Sequence, residues 1–153
     1  MKILITGVAG FLGSHLAQKL STLGHKIIGI DNMMGGYEDN IPNSITFHKE
    51  DCCNYEKINL LMNGIDVVYH CAATAHEGLS VFAPYEIGKN NFLASVSIFS
   101  AAIANKVKRI IFCSSMARYG HQKTPFNENM APKPVDPYGI AKVASEDLLK
   151  TLC

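Results

Sequence analysis

Apolar residues along this chain fall into short unbroken runs that alternate with longer stretches of helical spacing. Ile3-Leu4-Ile5, Lys26 to Asp31, Ile45 to Lys49, Asp66 to Ala73 and Lys108 to Ser115 each read as a strand. The run Asp66 to Ala73 is continuously apolar at its centre, as a parallel strand covered on both faces should be. Between the strands, Leu12, Leu16, Ala17 and Leu20 follow helical spacing, and so do stretches within Tyr55 to Asn63, Phe92 to Ile103 and Tyr138 to Leu152. This alternation predicts an α/β fold, a Rossmann-type doubly wound parallel sheet with helices on both faces and right-handed crossovers. A loop carrying Pro125, Pro132, Pro134 and Pro137 is too rich in proline for a helix. No internal repeat, low-complexity tract or linker is visible, so residues 1–153 read as one domain.

The first strand ends in Gly7-Val8-Ala9-Gly10-Phe11-Leu12-Gly13 and runs straight into a helix. Gly7 permits a bend that a side chain would block, Gly10 lets a pyrophosphate approach the main chain, and Gly13 lets helix and strand pack closely. Phe11 and Leu12 open the helix, whose free N–H groups and positive dipole end suit a phosphate. Asp31 ends the next strand 18 residues beyond Gly13, where a carboxylate accepts hydrogen bonds from an adenosine ribose and repels a 2′-phosphate. The expected cofactor is therefore NAD, with the alternative that Asp31 is only a strand-end turn acid. Asn32 begins a polar loop that could fold over the adenosine. Asp51, followed by Cys52, either lies beside the adenine or caps the helix that follows. Cys71, Ala72 and Ala73 are small and leave room for a dinucleotide over a strand tip, whereas His70 reads as a packed strand residue. Asn90 and Asn91 either cap the next helix or lean toward the cofactor.

Composition narrows the class. The chain has 153 residues, 48% apolar and 18% charged, enough for a packed core. Fourteen basic and thirteen acidic residues leave a net charge of +1, which suggests neither a nucleic-acid nor a membrane surface. With no leader-like or membrane-length apolar run, the expected location is the cytoplasm. Five cysteines, an odd number without regular spacing, fit a reducing compartment. Cys71 and Cys113 read as small core residues; Cys52 and Cys53 are adjacent, Cys153 is terminal, and no second pair completes a zinc site, so no metal is expected.

The chemistry falls on Tyr138-Gly139-Ile140-Ala141-Lys142, which sets a phenol and an ammonium one turn apart on one helix face. A phenol of pKa ~10 is a poor base near neutrality, but a neighbouring cation favours its phenolate. Tyr138 is then the expected acid/base, Lys142 its activator, and Ser115 at a strand's carboxyl end the hydroxyl that orients the substrate.

These motifs, with His70-Cys71-Ala72-Ala73 and Ser114-Ser115-Met116-Ala117-Arg118-Tyr119-Gly120, resemble the extended short-chain dehydrogenase/reductases. Within them the chain looks most like the nucleotide-sugar 4-epimerases. The resemblance implies catalytic Ser115, Tyr138 and Lys142, with Lys142 on the nicotinamide ribose, adenosine contacts from Asp31, Asn32 and Asp51, and a contact from Asn91 near the reacting centre. It implies NAD-dependent epimerisation of a nucleotide-sugar, UDP-linked, at C4 through a keto sugar. Related dehydratases and decarboxylases carry acids just after the catalytic hydroxyl, where this chain has Met116 and Ala117. Ala94 and Ser95 stand where the family commonly has Gly-Thr. The family also pairs the helices corresponding to Asn91–Asn105 and Tyr138–Leu152 across a dimer axis, so a homodimer is expected. Family members extend beyond the position of Cys153, so the chain reads as their amino-terminal part without the carboxy-terminal substrate-binding part. The competing readings are a non-catalytic NAD-binding module and an NAD-dependent reductase, dehydrogenase or dehydratase of the same superfamily.

Overall fold

The computed structural model describes residues 1–152, and Cys153 lies outside the described residues. The chain divides into two compact units, Met1–Ala73 with Ser97–Cys113, and Thr74–Val96 with the residues from Ser114 onward.

The first unit holds β1 (Lys2–Thr6), α1 (Phe11–Thr22), β2 (Lys26–Asp31), β3 (Thr46–Lys49), α2 (Tyr55–Leu61) and β4 (Val67–His70). After the excursion through α3 (Glu77–Ser80) and α4 (Pro84–Ile87) in the second unit, α5 (Ala94–Ala104) leads back to β5 (Arg109–Phe112). The five strands are all parallel, in the order β3-β2-β1-β4-β5. Ile3 pairs with Ile27 on one side and Val67 on the other, so a single register runs through the middle of the sheet.

Alternation along the strands explains why both faces are apolar. Ile3, Ile5 and Ile27 point to the face where Ala17, Leu16 and Leu20 of α1 cover them, joined by Phe47, Val67 and Tyr69. The intervening positions, Leu4, Ile30, Val68 and His70, are just as fully buried on the other face. There the His70 ring meets Phe99 of α5 at 5.8 Å and Phe112 at 5.7 Å. Asn105, just past α5, donates from Nδ2 to Asn59 Oδ1 of α2 at 2.8 Å, which sets α2 and α5 on this same face. Chain progression reverses at β1, so right-handed crossovers put α1 on one face and α2 and α5 on the other, as the contacts require. All five observed strands begin and end within three residues of the runs read from sequence, and the doubly wound parallel fold is as expected.

The second unit is mainly helical. A π-helical stretch, Gly88–Leu93, continues α4 and passes directly into α5, and a 3-10 turn, Met116–Tyr119, follows Ser115. Its longest element is α6 (Pro137–Leu152). Proline at the first helical position costs no hydrogen bond, so Pro137 belongs to α6 and not to the preceding loop where it was placed from sequence. Among the described residues, no helix is long and apolar enough to cross a membrane.

Candidate functional site

In the first unit the glycine turn is built as its chemistry demands. Gly7 has φ +69°, and a Cβ there would sit 2.8 Å from the Ala72 nitrogen, so only glycine fits the crossing of the turn over the end of β4. At Gly13 a Cβ would collide with the Gly7 carbonyl oxygen. The close approach that requires Gly13 is thus between helix and turn more than between helix and strand. Gly10 precedes α1 in extended conformation, and the helix begins with no side-chain cap and no acid in its first turn. Phe11 and Leu12, its first residues, are exposed. An uncapped, acid-free N-terminus behind a glycine turn fits an anionic group well.

Asp31 locks this turn to the end of β2. Its Oδ2 accepts from Ala9 N–H at 3.0 Å and its Oδ1 from Met33 N–H at 2.8 Å. It is therefore a turn acid and a tether at once, and an ionised carboxylate keeps further lone pairs for ribose hydroxyls. Asn32 Oδ1 accepts from Met34 N–H at 3.1 Å. The polar loop is also drawn in, since Tyr37 N–H and Asn40 Nδ2 both donate to the Ala9 carbonyl, at 3.1 and 2.9 Å.

Asp51 is not the cap of α2. That role falls to Asn54, whose side chain accepts from Lys57 N–H at 3.5 Å, while Asp51 Oδ1 accepts from Cys53 N–H at 2.8 Å in a local turn. Cys52 is buried, and burial, aided by the charges of Asp51 and Asp31 and by Cys53, pushes its thiol up to about 12.

Thr6, a residue that sequence reasoning passed over, joins these parts. Its hydroxyl lies 2.7 Å from His70 Nδ1 and accepts from Ala72 N–H at 3.1 Å, and it also bonds the Cys52 thiol. His70 is fully buried, as a packed strand residue should be. Cys71 and Cys113 are half-buried, Cys71 packing against the Ile3–Ile5–Ile27 core as a small core residue should, and their Sγ atoms lie 3.6 Å apart. Thus Gly7, Gly10, Gly13, Asp31, Cys52, Cys71 and Ala72 come together through backbone and side-chain contacts at the carboxyl end of the sheet, where open α/β sheets place ligands. Ala73 follows Ala72 as a half-buried residue at the same strand exit.

In the second unit, Tyr138 and Lys142 are both buried on one face of α6, with Lys142 Nζ 5.8 Å from the centre of the Tyr138 ring. A Cβ at Gly139 would stand 2.8 Å from the Ala117 carbonyl oxygen, so the first turn of α6 is pressed against the 3-10 turn that Ser115 begins. Ser115 Oγ accepts from Ala117 N–H at 3.2 Å, leaving its own proton to donate. Ser114 is turned to α6 instead, donating to Glu146 Oε1, which also faces Arg118 Nε at 3.0 Å. The serine pair therefore divides its work: Ser114 bonds Glu146 of α6, and Ser115 faces its own turn.

Asn91 neither caps a helix nor stands at a helix start. It lies inside the π-helical stretch, 2% exposed, accepting from Thr74 N–H at 3.1 Å and donating to the Ile87 carbonyl at 3.0 Å. Asn90 Nδ2 donates to Thr74 Oγ1 at 3.2 Å, so both asparagines pin the segment after β4. The cap of α6 is Asp136, whose Oδ1 accepts from Gly139 N–H at 2.9 Å and faces Ser80 Oγ at 3.4 Å. Asp-Pro at 136–137 is a helix-start signal that could have been read from sequence. Asp136→Ala should cost about 1 kcal/mol of stability, seen as a lower urea midpoint at unchanged slope. An unaltered midpoint would remove Asp136 as the cap that fixes the start of the tyrosine helix.

Comparison with known proteins gives these features a context. The profile of the NAD dependent epimerase/dehydratase family matches residues 3–153. The chain is 30% identical to UDP-glucose 4-epimerase of Streptomyces lividans over 97% of its own length and 46% of that protein's. A putative UDP-glucose 4-epimerase of Methanocaldococcus jannaschii is 35% identical, over 97% of this chain and 50% of that one. Among solved structures, UDP-glucose 4-epimerase of Thermotoga maritima with UDP-glucose superposes with TM-score 0.95 at 33% identity, covering 99% of this chain and 51% of that one. The Thermus thermophilus enzyme in complex with NAD gives TM-score 0.94 at 29% identity, covering 99% and 50%. The chain thus spans about half the length of the relatives it matches. With its glycine turn, strand-end acid and Tyr-x-x-x-Lys helix in the places described, this chain belongs to the NAD-dependent epimerase/dehydratase family.

Proposed function

We propose that this chain forms the NAD-binding and acid/base portion of a nucleotide-sugar 4-epimerase acting on a UDP-linked sugar. The observation that carries the reading is the buried Tyr138–Lys142 pair on one face of α6, beside a serine turn with no carboxylate at Met116 or Ala117. The glycine turn, with Phe11 and Leu12, would hold the pyrophosphate, Asp31, Asn32, Asp51 and Cys52 the adenosine end, and Cys71, Ala72 and Ala73 the dinucleotide as it crosses the strand tips. Lys142 would hold the nicotinamide ribose, and Asn91 would order the segment beside it through Thr74.

When bound, NAD supplies a hydride acceptor that returns the hydride to the same carbon. Tyr138 takes the proton from the C4 hydroxyl as the carbon is oxidised and gives it back after the keto sugar has turned over. Lys142, its ammonium on the ring side of Tyr138, favours the phenolate during the first step. Ser115 donates its hydroxyl proton to the sugar oxygen and holds it in line. No second acid/base pair is needed, because no bond at C5 or C6 breaks, and this agrees with Met116 and Ala117. A homodimer belongs to the same reading, supported by the exposed apolar Ile140 on α6.

The deciding assay supplies UDP-galactose with NAD well below stoichiometry and follows both sugar and cofactor. Formation of UDP-glucose without net NADH is the expected result. NADH produced in step with a keto sugar would make it a dehydrogenase, and a 4-keto-6-deoxy product a dehydratase. NAD binding with no turnover would leave a binding module.

A further inference from the structure

Cys71 and Cys113 are the first residues past the ends of β4 and β5, two adjacent parallel strands. The pairing of His70 with Phe112 extends one step to bring them side by side, and Cys113 N–H donates to the His70 carbonyl at 3.2 Å. Their Sγ atoms are 3.6 Å apart. Neighbouring strands lie about 4.8 Å apart, within the roughly 4.4–6.8 Å Cα separation a disulfide spans, so rotation of the two side chains is enough to close one. Both residues are half-buried and within reach of a small oxidant. Cys52 offers the contrast within the same unit: it is buried and its thiol is pushed up to about 12, which leaves almost no thiolate near neutrality.

We propose that Cys71 and Cys113 are a redox-responsive dithiol that closes to a disulfide at the carboxyl edge of the sheet, with a peroxide as oxidant. One thiolate attacks a peroxide oxygen, the O–O bond breaks, and a sulfenic acid and water result once the leaving oxygen is protonated. The second sulfur attacks the sulfenyl sulfur, the S–O bond breaks, and the second thiol's proton leaves with that oxygen as another water. Two thiols lose two electrons and two protons, and one hydrogen peroxide becomes two waters. The Cys71 carbonyl carbon lies 3.1 Å from the position a Cβ would take on Gly7, so closure fixes the main chain on which the glycine turn rests. Its effect on dinucleotide affinity rests on the cofactor assignment above; the disulfide itself does not.

The test treats the whole chain with near-stoichiometric hydrogen peroxide, alkylates the remaining thiols and digests with trypsin. The expected product links peptide 58–89, which holds Cys71, to peptide 110–118, which holds Cys113, within one molecule, and disappears on reduction. Cys113→Ser should abolish the link and leave Cys71 as an oxo-acid or an alkylated thiol. Survival of both thiols under these conditions, or links running instead to Cys53 or between molecules, would overturn the proposal. Because the unmutated protein itself carries the test, a poorly folding variant does not shield it. Calorimetry with NAD on reduced and cross-linked protein then separates the two readings. A changed Kd supports the coupling and an unchanged one overturns it, whereas absence of binding in both forms counts against the cofactor assignment and leaves the disulfide standing.

Discussion

Gly13→Val is expected to cost about 3 kcal/mol of folding stability or more and to abolish NAD binding with it. The added Cβ would meet the Gly7 carbonyl oxygen, the Gly7 carbonyl carbon at 2.8 Å and Val8 Cα at 2.9 Å. All three are backbone atoms of a turn held by Gly7 N–H to Ile30 and Ala9 N–H to Asp31, so no flexible side chain is there to yield. Either α1 moves off the sheet and uncovers Ile3, Ile5 and Ile27, or the turn opens and Asp31 loses Ala9. Gly10→Ala is the matched control. Its Cβ would meet only the Gly7 oxygen, at 3.3 Å, so stability should change by less than about 1 kcal/mol while NAD affinity falls, because the methyl stands where the pyrophosphate approaches. Urea unfolding and calorimetry on both variants check the pair. A Gly13→Val protein with an unshifted midpoint would refute the close approach, and a Gly10→Ala protein that binds NAD as well as the parent would refute the placement of the phosphates.

The second large effect separates two residues that share one helix face. Lys142→Met should weaken NAD binding by about 10- to 100-fold, the worth of about 1.4–2.8 kcal/mol of charge-assisted hydrogen bonding. Tyr138→Phe should leave affinity within about twofold but lower turnover by about 100- to 10,000-fold, since it removes a proton shuttle and no binding group. Both side chains are buried, so the stability of each variant must be measured alongside. If Tyr138→Phe lost affinity as severely as Lys142→Met, the phenol would be a binding group, and the division of labour assigned here would fail.

The sheet and the cofactor turn were legible because they are written locally. Parallel strands buried on both faces must be apolar at nearly every position, and the runs through Val68 and Ile111 could be little else. The glycine turn is dictated by the main chain within seven residues, and Asp31 by one strand end. What stayed hidden depends on partners far along the chain. Asn91 reads as a cap until Thr74 is seen 17 residues away in its hydrogen-bond sphere. Nothing near Ser114 announces Glu146, and Thr6 looks like one more β-branched strand residue until His70, Ala72 and Cys52 gather on its hydroxyl. The short helices α3 and α4 escaped for a different reason: at four residues each, they hold too few turns to show a period.

The π-helical stretch Gly88–Leu93 makes the run from α4 to α5 a helix carrying one residue more than its hydrogen-bond ladder can hold. A single deletion there would let the whole run relax to ordinary α geometry. Each residue turns an α-helix by about 100°, so everything on one side of the cut would swing by that angle relative to the other. If α5 kept its place under the sheet through Ile98 and Phe99, a deletion beyond Asn91 would carry its amide away from Thr74 and bring Asn90 toward the position it left. An insertion elsewhere in this helix would lengthen it; here the extra residue decides which side chain the helix presents, so the segment should tolerate substitution far better than a change in length.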